Sequence, residues 1–192
     1  MTEAVGDIRQ KAILDSAFQA FATYGFRKTS MDDIARGAGM SRPAVYLHYK
    51  NKEAIVRKLT ELYYAEKSAA VAAALASPGS VPDVLKRAIR AQTEGMAAIL
   101  ALPHGLELLD NTKSMSSEII SEGEAMLAGL YADWLSHQQQ AGRVRLFADA
   151  VETGRTISAT LKGLKLTGAG AEVYEQQVGQ VADLFGAGLE VR

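Results

Sequence analysis

Cysteine is absent from the 192 residues, which excludes disulfides, zinc–thiolate centres and cysteine nucleophiles together and fits a cytoplasmic chain. Prolines number only four, and the alternation of β-branched and polar residues that marks strands is nearly missing. No apolar run approaches the roughly 18–20 residues that a membrane-spanning helix needs. The opening MTEAVGDIRQKAIL lacks a basic start followed by an apolar block, so no secretory signal is read. Catalytic signatures are missing as well. There is no Ser-His-Asp order, P-loop, dinucleotide-binding glycine pattern or paired carboxylate cluster, and GAGAE follows no strand. His104 and His137 lie far apart without an Asp/Glu-x-x-His neighbourhood. The expectation is a protein that is not an enzyme and carries neither metal nor cofactor.

What is present is unevenly distributed charge. The whole chain balances at −1, but residues 1–58 carry +4 and residues 59–192 carry −5 by count of their ionisable residues. A basic head and an acidic body suit contact with a polyanion at the head alone. Apolar residues recur at three and four throughout, which predicts an all-α fold of about nine helices. In the first, over about Asp7–Tyr24, Ile13, Ala17 and Phe21 form one row and Leu14 and Phe18 the next. Gly25 stands where a left-handed cap would end it, with Phe26 folding back on the last turn.

Two short helices follow. Ser30 and Asp33 have the spacing of a capping box and start one over about Met31–Ala38. Gly39 ends it, Ser41 caps the next, and Pro43 falls in a first turn where no helical N–H bond is lost. Asn51 opens a long fourth helix through Ile55, Leu59, Leu62 and Tyr63. The two short helices have the dimensions of a helix-turn-helix, whose second helix enters the DNA major groove. At 100° per residue Val45 and Tyr49 stack on one face, toward Ile34 and Phe21, and Leu47 points the opposite way. An outward leucine suits a thymine methyl better than it suits water. Ser41, Arg42, Ala44, Tyr46 and His48 share the outer faces, with Lys50 and Lys52 following at the level of the phosphates.

The stretch TSMDDIARGAGMSRPAVYLHYKNKEAIV resembles the DNA-binding signature of the TetR family of one-component transcriptional regulators. Thr29-Ser30, Ile34-Ala35, Ala38-Gly39, Ser41, Val45-Tyr46, His48-Tyr49 and Lys52-Glu53 carry it, and the first helix agrees, so the likeness covers about residues 8–58. It implies a DNA-binding domain over residues 1–50 and a helical ligand-binding and dimerisation domain over 51–192. Thr29 and Ser30 would meet phosphate at the start of the second helix. Arg42, Ala44 and Leu47 would face bases, and Tyr46, His48 and Lys52 would hold phosphates. Pro43 stands where glycine is common in the family and would contribute shape alone. Asp32 and Asp33 either face the polyanion or support the dipole of the second helix.

Beyond SPGSVP at 77–82, the clearest break, helices are expected over about Pro82–Leu102, after Pro103, and over Ser116–Gln140, Ala148–Thr167 and Ala171–Leu189, the last two separated by TGAGA. Met96, Met115, Met126, Tyr131 and Trp134 fall on amphipathic helices, where they fill a core or wall a cavity for an apolar effector; His104 joins them as a candidate pocket residue. Gly154, Gly163, Gly179, Gly186 and Gly188 each cost about 1 kcal/mol in a helix interior, and close helix approach would compensate. The resemblance places a homodimer interface on these last two helices, with Gly154, Ile157, Leu161, Leu164, Val178, Val181 and Phe185 as candidates. The function implied is a repressor released from a palindromic double-stranded DNA operator by a small molecule, without a membrane. The alternative is a helical ligand-binding or interaction protein that has lost DNA binding.

Overall fold

The computed structural model describes residues 2–167 and 170–191; Gly168 and Ala169 of the TGAGA connection lie outside the described residues. These contain ten helices and no strand: α1 (Thr2–Tyr24), α2 (Met31–Gly37), α3 (Arg42–Tyr46), α4 (Lys52–Leu75), α5 (Val81–Thr93), α6 (Met96–Leu100), α7 (Gly105–Met115), α8 (Ser117–Gln140), α9 (Ala150–Lys165) and α10 (Ala171–Leu189). Val144 and Glu190 form an isolated antiparallel bridge. The all-α reading holds. The single helix expected over Pro82–Leu102 is two, because Gly95 adopts φ +80° and breaks the ladder after α5. None of the helices is long and apolar enough to cross a membrane.

The chain forms two compact units, Met1–Leu62 with Ala101–Ile120, and Tyr63–Leu100 with Ser121–Arg192. The first unit has its own core. Ile13, Ala17 and Phe21 of α1, Ile34 of α2, Val45 of α3 and Ile55 of α4 are completely buried, and Leu108 of α7 joins them. Phe26 returns onto α1 with its ring 5.2 Å from that of Phe21. The cluster mixes residues separated by up to a hundred positions, so burial of this apolar surface, at about 25 cal/mol per Å², holds the short α2 and α3 in place. Neither would persist alone at such length.

In the second unit α10 packs along α5 and also meets α6 and α9. Gly186 permits the approach to α5, since a Cβ there would lie 2.9 Å from Pro82 Cα. Gly154 does the same for α9 against α8, where a Cβ would come 2.6 Å from the Ala128 carbonyl oxygen. Tyr131, Leu135, Ile157 and Leu161 are fully buried in this unit.

Candidate nucleic-acid interface

Local chemistry explains how α2 and α3 are set. Ser30 caps α2: its hydroxyl accepts from the Asp33 N–H, while Asp33 accepts from the Ser30 N–H at 2.9 Å and from its hydroxyl at 2.6 Å. Those two bonds hold the Asp33 carboxyl below the usual carboxylate range. At the other end the Met40 N–H donates to the Ala35 carbonyl at 2.9 Å, and the Gly39 N–H to that of Arg36 at 3.2 Å. Gly39 has φ +66°, which makes this a Schellman termination. Ser41 then caps α3 through the Ala44 N–H at 3.4 Å, and Asn51 caps α4 through that of Ala54 at 2.9 Å.

This framework divides α3 and the turn after it into two faces. Val45 is completely buried and Tyr49 nearly so, whereas Leu47 is 86% exposed. Ser41, Arg42, Pro43, Tyr46 and Lys50 are exposed around it, and Ala44 and His48 are half-buried. A leucine in open solvent between hydroxyl and cationic groups has no partner within its own fold.

Three side chains behave differently from the sequence reading. Thr29 is buried, 3% exposed, and its hydroxyl donates to the carbonyls of Gly25 at 2.9 Å and Ala20 at 3.2 Å. It ties the end of α1 to the start of α2 and presents no hydroxyl to a phosphate. Lys52 Nζ donates to the Phe26 and Thr29 carbonyls at 2.6 and 2.7 Å and lies 4.4 Å from the centre of the Phe26 ring. The lysine therefore clasps the α1–α2 connection, leaving one of its three protons for other partners. Arg42 is not free either. Its Nε and Nη1 meet the Asp32 carboxylate at 3.2 and 3.3 Å, and its guanidinium carbon lies 5.4 Å from the Tyr46 ring centre. The Tyr46 hydroxyl, with Asp32 second, pushes the Arg42 pKa up. The two aspartates thus have separate tasks, Asp33 as a cap and Asp32 as the partner of Arg42. The only sequence signal for the pair was an acidic residue on the short helix preceding the arginine.

The six candidate pocket residues divide between the two units. Met96 and Tyr131 are buried, Trp134 is half-buried, and Met126 is 59% exposed. His104 and Met115 belong to the first unit. There His104 Nδ1 lies 2.7 Å from Glu107, and Met115 packs against the core built on Phe21 and Ile34. A groove of about 610 Å³ in the second unit is lined instead by α5, α6 and α10, with Lys86, Arg90, Thr93, Glu94 and Tyr174 among its walls.

The dimer candidates divide by burial. Ile157 and Leu161 are fully buried within one protomer, Val178 is 7% exposed, and Gly154 lies against α8. Leu164, Val181 and Phe185 are half-buried. Val151 of α9, Leu166 at its C-cap, and Val173 and Leu184 of α10 are exposed. Gly163 and Gly188 would meet nothing if given a Cβ.

A capped helix-turn-helix with an exposed outer face on its second helix has the geometry of a DNA-binding regulator, and the comparisons agree. Residues 13–59 match the family described as "Bacterial regulatory proteins, tetR family". The HTH-type transcriptional repressor Rv1474c of Mycobacterium tuberculosis is 34% identical over 137 residues, covering 71% of this chain and 70% of that protein. The HTH-type transcriptional regulator EthR of Mycolicibacterium smegmatis is 43% identical over 56 residues, 29% of this chain and 26% of that protein. The fatty acid degradation regulator FadR from Bacillus halodurans shares the fold, with a TM-score of 0.72 at 19% identity over 96% of this chain and 97% of that chain. The chain belongs to the tetR family of bacterial regulatory proteins. That family is one of transcriptional regulators rather than enzymes.

Proposed function

We propose that the protein is a cytoplasmic, homodimeric repressor whose residues 1–50 bind a palindromic operator, and whose residues 51–192 receive a small molecule that releases it. That functional division differs from the two compact units, because the start of α4 and all of α7 pack with the head. The observation that carries the reading is the outer face of α3, where Leu47 stands 86% exposed among Ser41, Arg42, Tyr46 and Lys50. Two such helices in a dimer enter successive major grooves about 34–36 Å apart. Phosphate contacts from Ser30, Tyr46, His48 and Lys50 supply affinity and its salt dependence, and Arg42, Ala44 and Leu47 read base edges. Arg42 exchanges Asp32 for a base or phosphate on binding, so Asp32 holds it extended beforehand and opposes wrong sites.

Dimerisation in this reading uses the exposed apolar side chains of α9 and α10. Val151, Leu166, Val173 and Leu184 supply the apolar area, and Gly163 and Gly188 allow close approach. Release follows when a ligand prefers the protomer conformation whose heads are wrongly spaced, and by no more than that preference. α4 is continuous from the head's Lys52 to Leu75 and is the covalent route for that preference. A titration of the full chain against the DNA upstream of its own gene, repeated over a salt series, tests the proposal. Salt-sensitive binding of a dimer is expected. Absence of any salt-sensitive complex would favour a ligand-binding protein without DNA activity.

A further inference from the structure

The side-chain polar atoms that are buried without a protein hydrogen-bond partner among the described residues all lie in the second unit. They are Ser68 Oγ, both amide atoms of Gln92, the hydroxyls of Tyr131 and Tyr174, and Gln177 Oε1. Buried polar groups without a protein partner are satisfied by water or by a ligand. The same unit buries two lysines: the side chains of Lys67 and Lys165 are 7% and 10% exposed. One largely covered carboxylate faces Lys165. Glu124, 12% exposed, lies 3.8 Å from Lys165 Nζ and accepts from the Tyr64 hydroxyl at 2.9 Å and the Ser158 hydroxyl at 3.2 Å. Lys67 meets the Glu66 carboxylate at 3.9 Å, but that side chain is 78% exposed. Both ammonium groups lie 5.8 Å from the centre of the Tyr63 ring.

The charge is therefore unbalanced. Lys165 has Glu124 beside it, whereas Lys67 has only the largely exposed Glu66, and an uncompensated buried charge is strongly unfavourable. The strain shows at Lys165, whose pKa burial pushes down; Glu124 opposes that, while Lys162 and Lys67 add to it. Tyr174 is near Tyr63 and lines the groove between α5, α6 and α10. Its unpartnered hydroxyl is raised in pKa by burial and then by Tyr63.

We propose that this cluster is the effector's headgroup site and that the effector is a small organic acid bearing one carboxylate. Lys67 and Lys165 supply the charge and Tyr174 a hydroxyl donor. A monoanion matches the one ammonium without a buried partner, and the apolar remainder of the molecule lies along Ala91, Ala97, Val178 and Ala182 of the groove. The assignment rests on the reading of the chain as a ligand-released regulator. It replaces the uncharged apolar effector suggested by the methionine and aromatic pattern.

The test uses the full chain with hexanoate, decanoate and benzoate, each paired with the corresponding alcohol. Thermal melts and calorimetric titration give the binding, and operator release is followed separately. At least one acid is expected to raise the melting temperature in a saturable way while its alcohol does not. Lys67→Met strands no buried partner and should weaken that acid at least tenfold. Tyr174→Phe, which removes a hydroxyl without a protein partner, should weaken it several-fold, and this second variant keeps the test decisive if Lys67→Met proves unfolded by circular dichroism. The proposal is overturned if no acid stabilises the protein, if acid and alcohol bind equally, or if Tyr174→Phe leaves the acid's affinity unchanged. Acid binding without operator release would leave the anion site standing and remove the release mechanism. Release by a neutral compound, unchanged in Lys67→Met, would retain the regulator and remove the anion site.

Discussion

Leu47 and Val45 lie two residues apart, and exchanging each for alanine should produce opposite consequences. Val45 is completely buried among Phe21, Ile34 and Ile55. Its truncation removes two methyl groups, at about 0.8 kcal/mol each, and leaves a cavity, for a folding loss of about 2 kcal/mol. Leu47 is 86% exposed, so its truncation should change stability by less than about 0.5 kcal/mol. On DNA the balance reverses. Leu47→Ala removes three carbons from a contact with a groove floor that covers about half of them, which costs about 1–2 kcal/mol, or 5–30-fold in operator affinity. Binding to unrelated DNA, held by phosphates, should be unaffected. The assays are urea unfolding of both variants and fluorescence anisotropy with operator and random duplexes well below the melting temperature. If Leu47→Ala destabilises the fold as much as Val45→Ala does, or leaves the operator-to-random ratio unchanged, the assignment of the two faces is wrong.

Other perturbations separate framework from contact. Lys52→Met removes two charge-assisted bonds to the Phe26 and Thr29 carbonyls and should destabilise the head by about 1.5–3 kcal/mol in urea unfolding. An unchanged midpoint would return Lys52 to a purely phosphate-facing role. Asp32→Asn releases Arg42 and removes an anion from the DNA side. It should raise affinity for random DNA several-fold and narrow the operator-to-random ratio, whereas equal weakening of both would refute the restraint on Arg42. Gly154→Ala drives a Cβ to 2.6 Å from the Ala128 carbonyl oxygen and 2.9 Å from the Ala132 nitrogen. Overpacking of about 1–3 kcal/mol should exceed the gain in helix propensity, giving a lower melting temperature; a rise would show that α8 and α9 can separate freely. The folded-state pKa of Asp33 is depressed, so its contribution is present above the unfolded carboxylate pKa and is lost as pH falls through the folded value. Asp33→Asn should flatten that acid limb of head stability, and an unaltered limb would remove Asp33 from the linkage.

The head was largely legible because its signals are local. Ser30 with Asp33, Gly39, Ser41 and Asn51 act within four residues of themselves, and each cap formed as its spacing indicates. The faces of α3 were legible because a helix of known phase leaves Leu47 opposite Val45. Partners distant in sequence were not. Periodicity puts Ile157 and Leu161 on one stripe of α9 but does not say whether that stripe meets α8 of the same protomer or a second subunit. The same limit hid the destination of Lys52, whose acceptors lie 26 and 23 residues upstream. It also hid the placement of His104 and Met115 with the head. The break at Gly95 was weakly marked, since a glycine within an apolar repeat is compatible with a continuous helix until its φ is known. The buried lysines left no sequence signature, because Lys67 and Lys165 stand almost a hundred residues apart on helices whose packing alone brings them together.

The central claim is that the outer face of α3, doubled in a dimer, reads a symmetric DNA site. Selection of bound duplexes from a random pool by the full-length protein, sequenced after several rounds, tests it most directly. The account predicts an inverted repeat with half-site centres about 34–36 Å apart along the duplex, with the preferred base altered at one symmetric pair of positions in Leu47→Ala. Recovery of no enriched sequence, or of a single unrepeated half-site indifferent to Leu47, would contradict it.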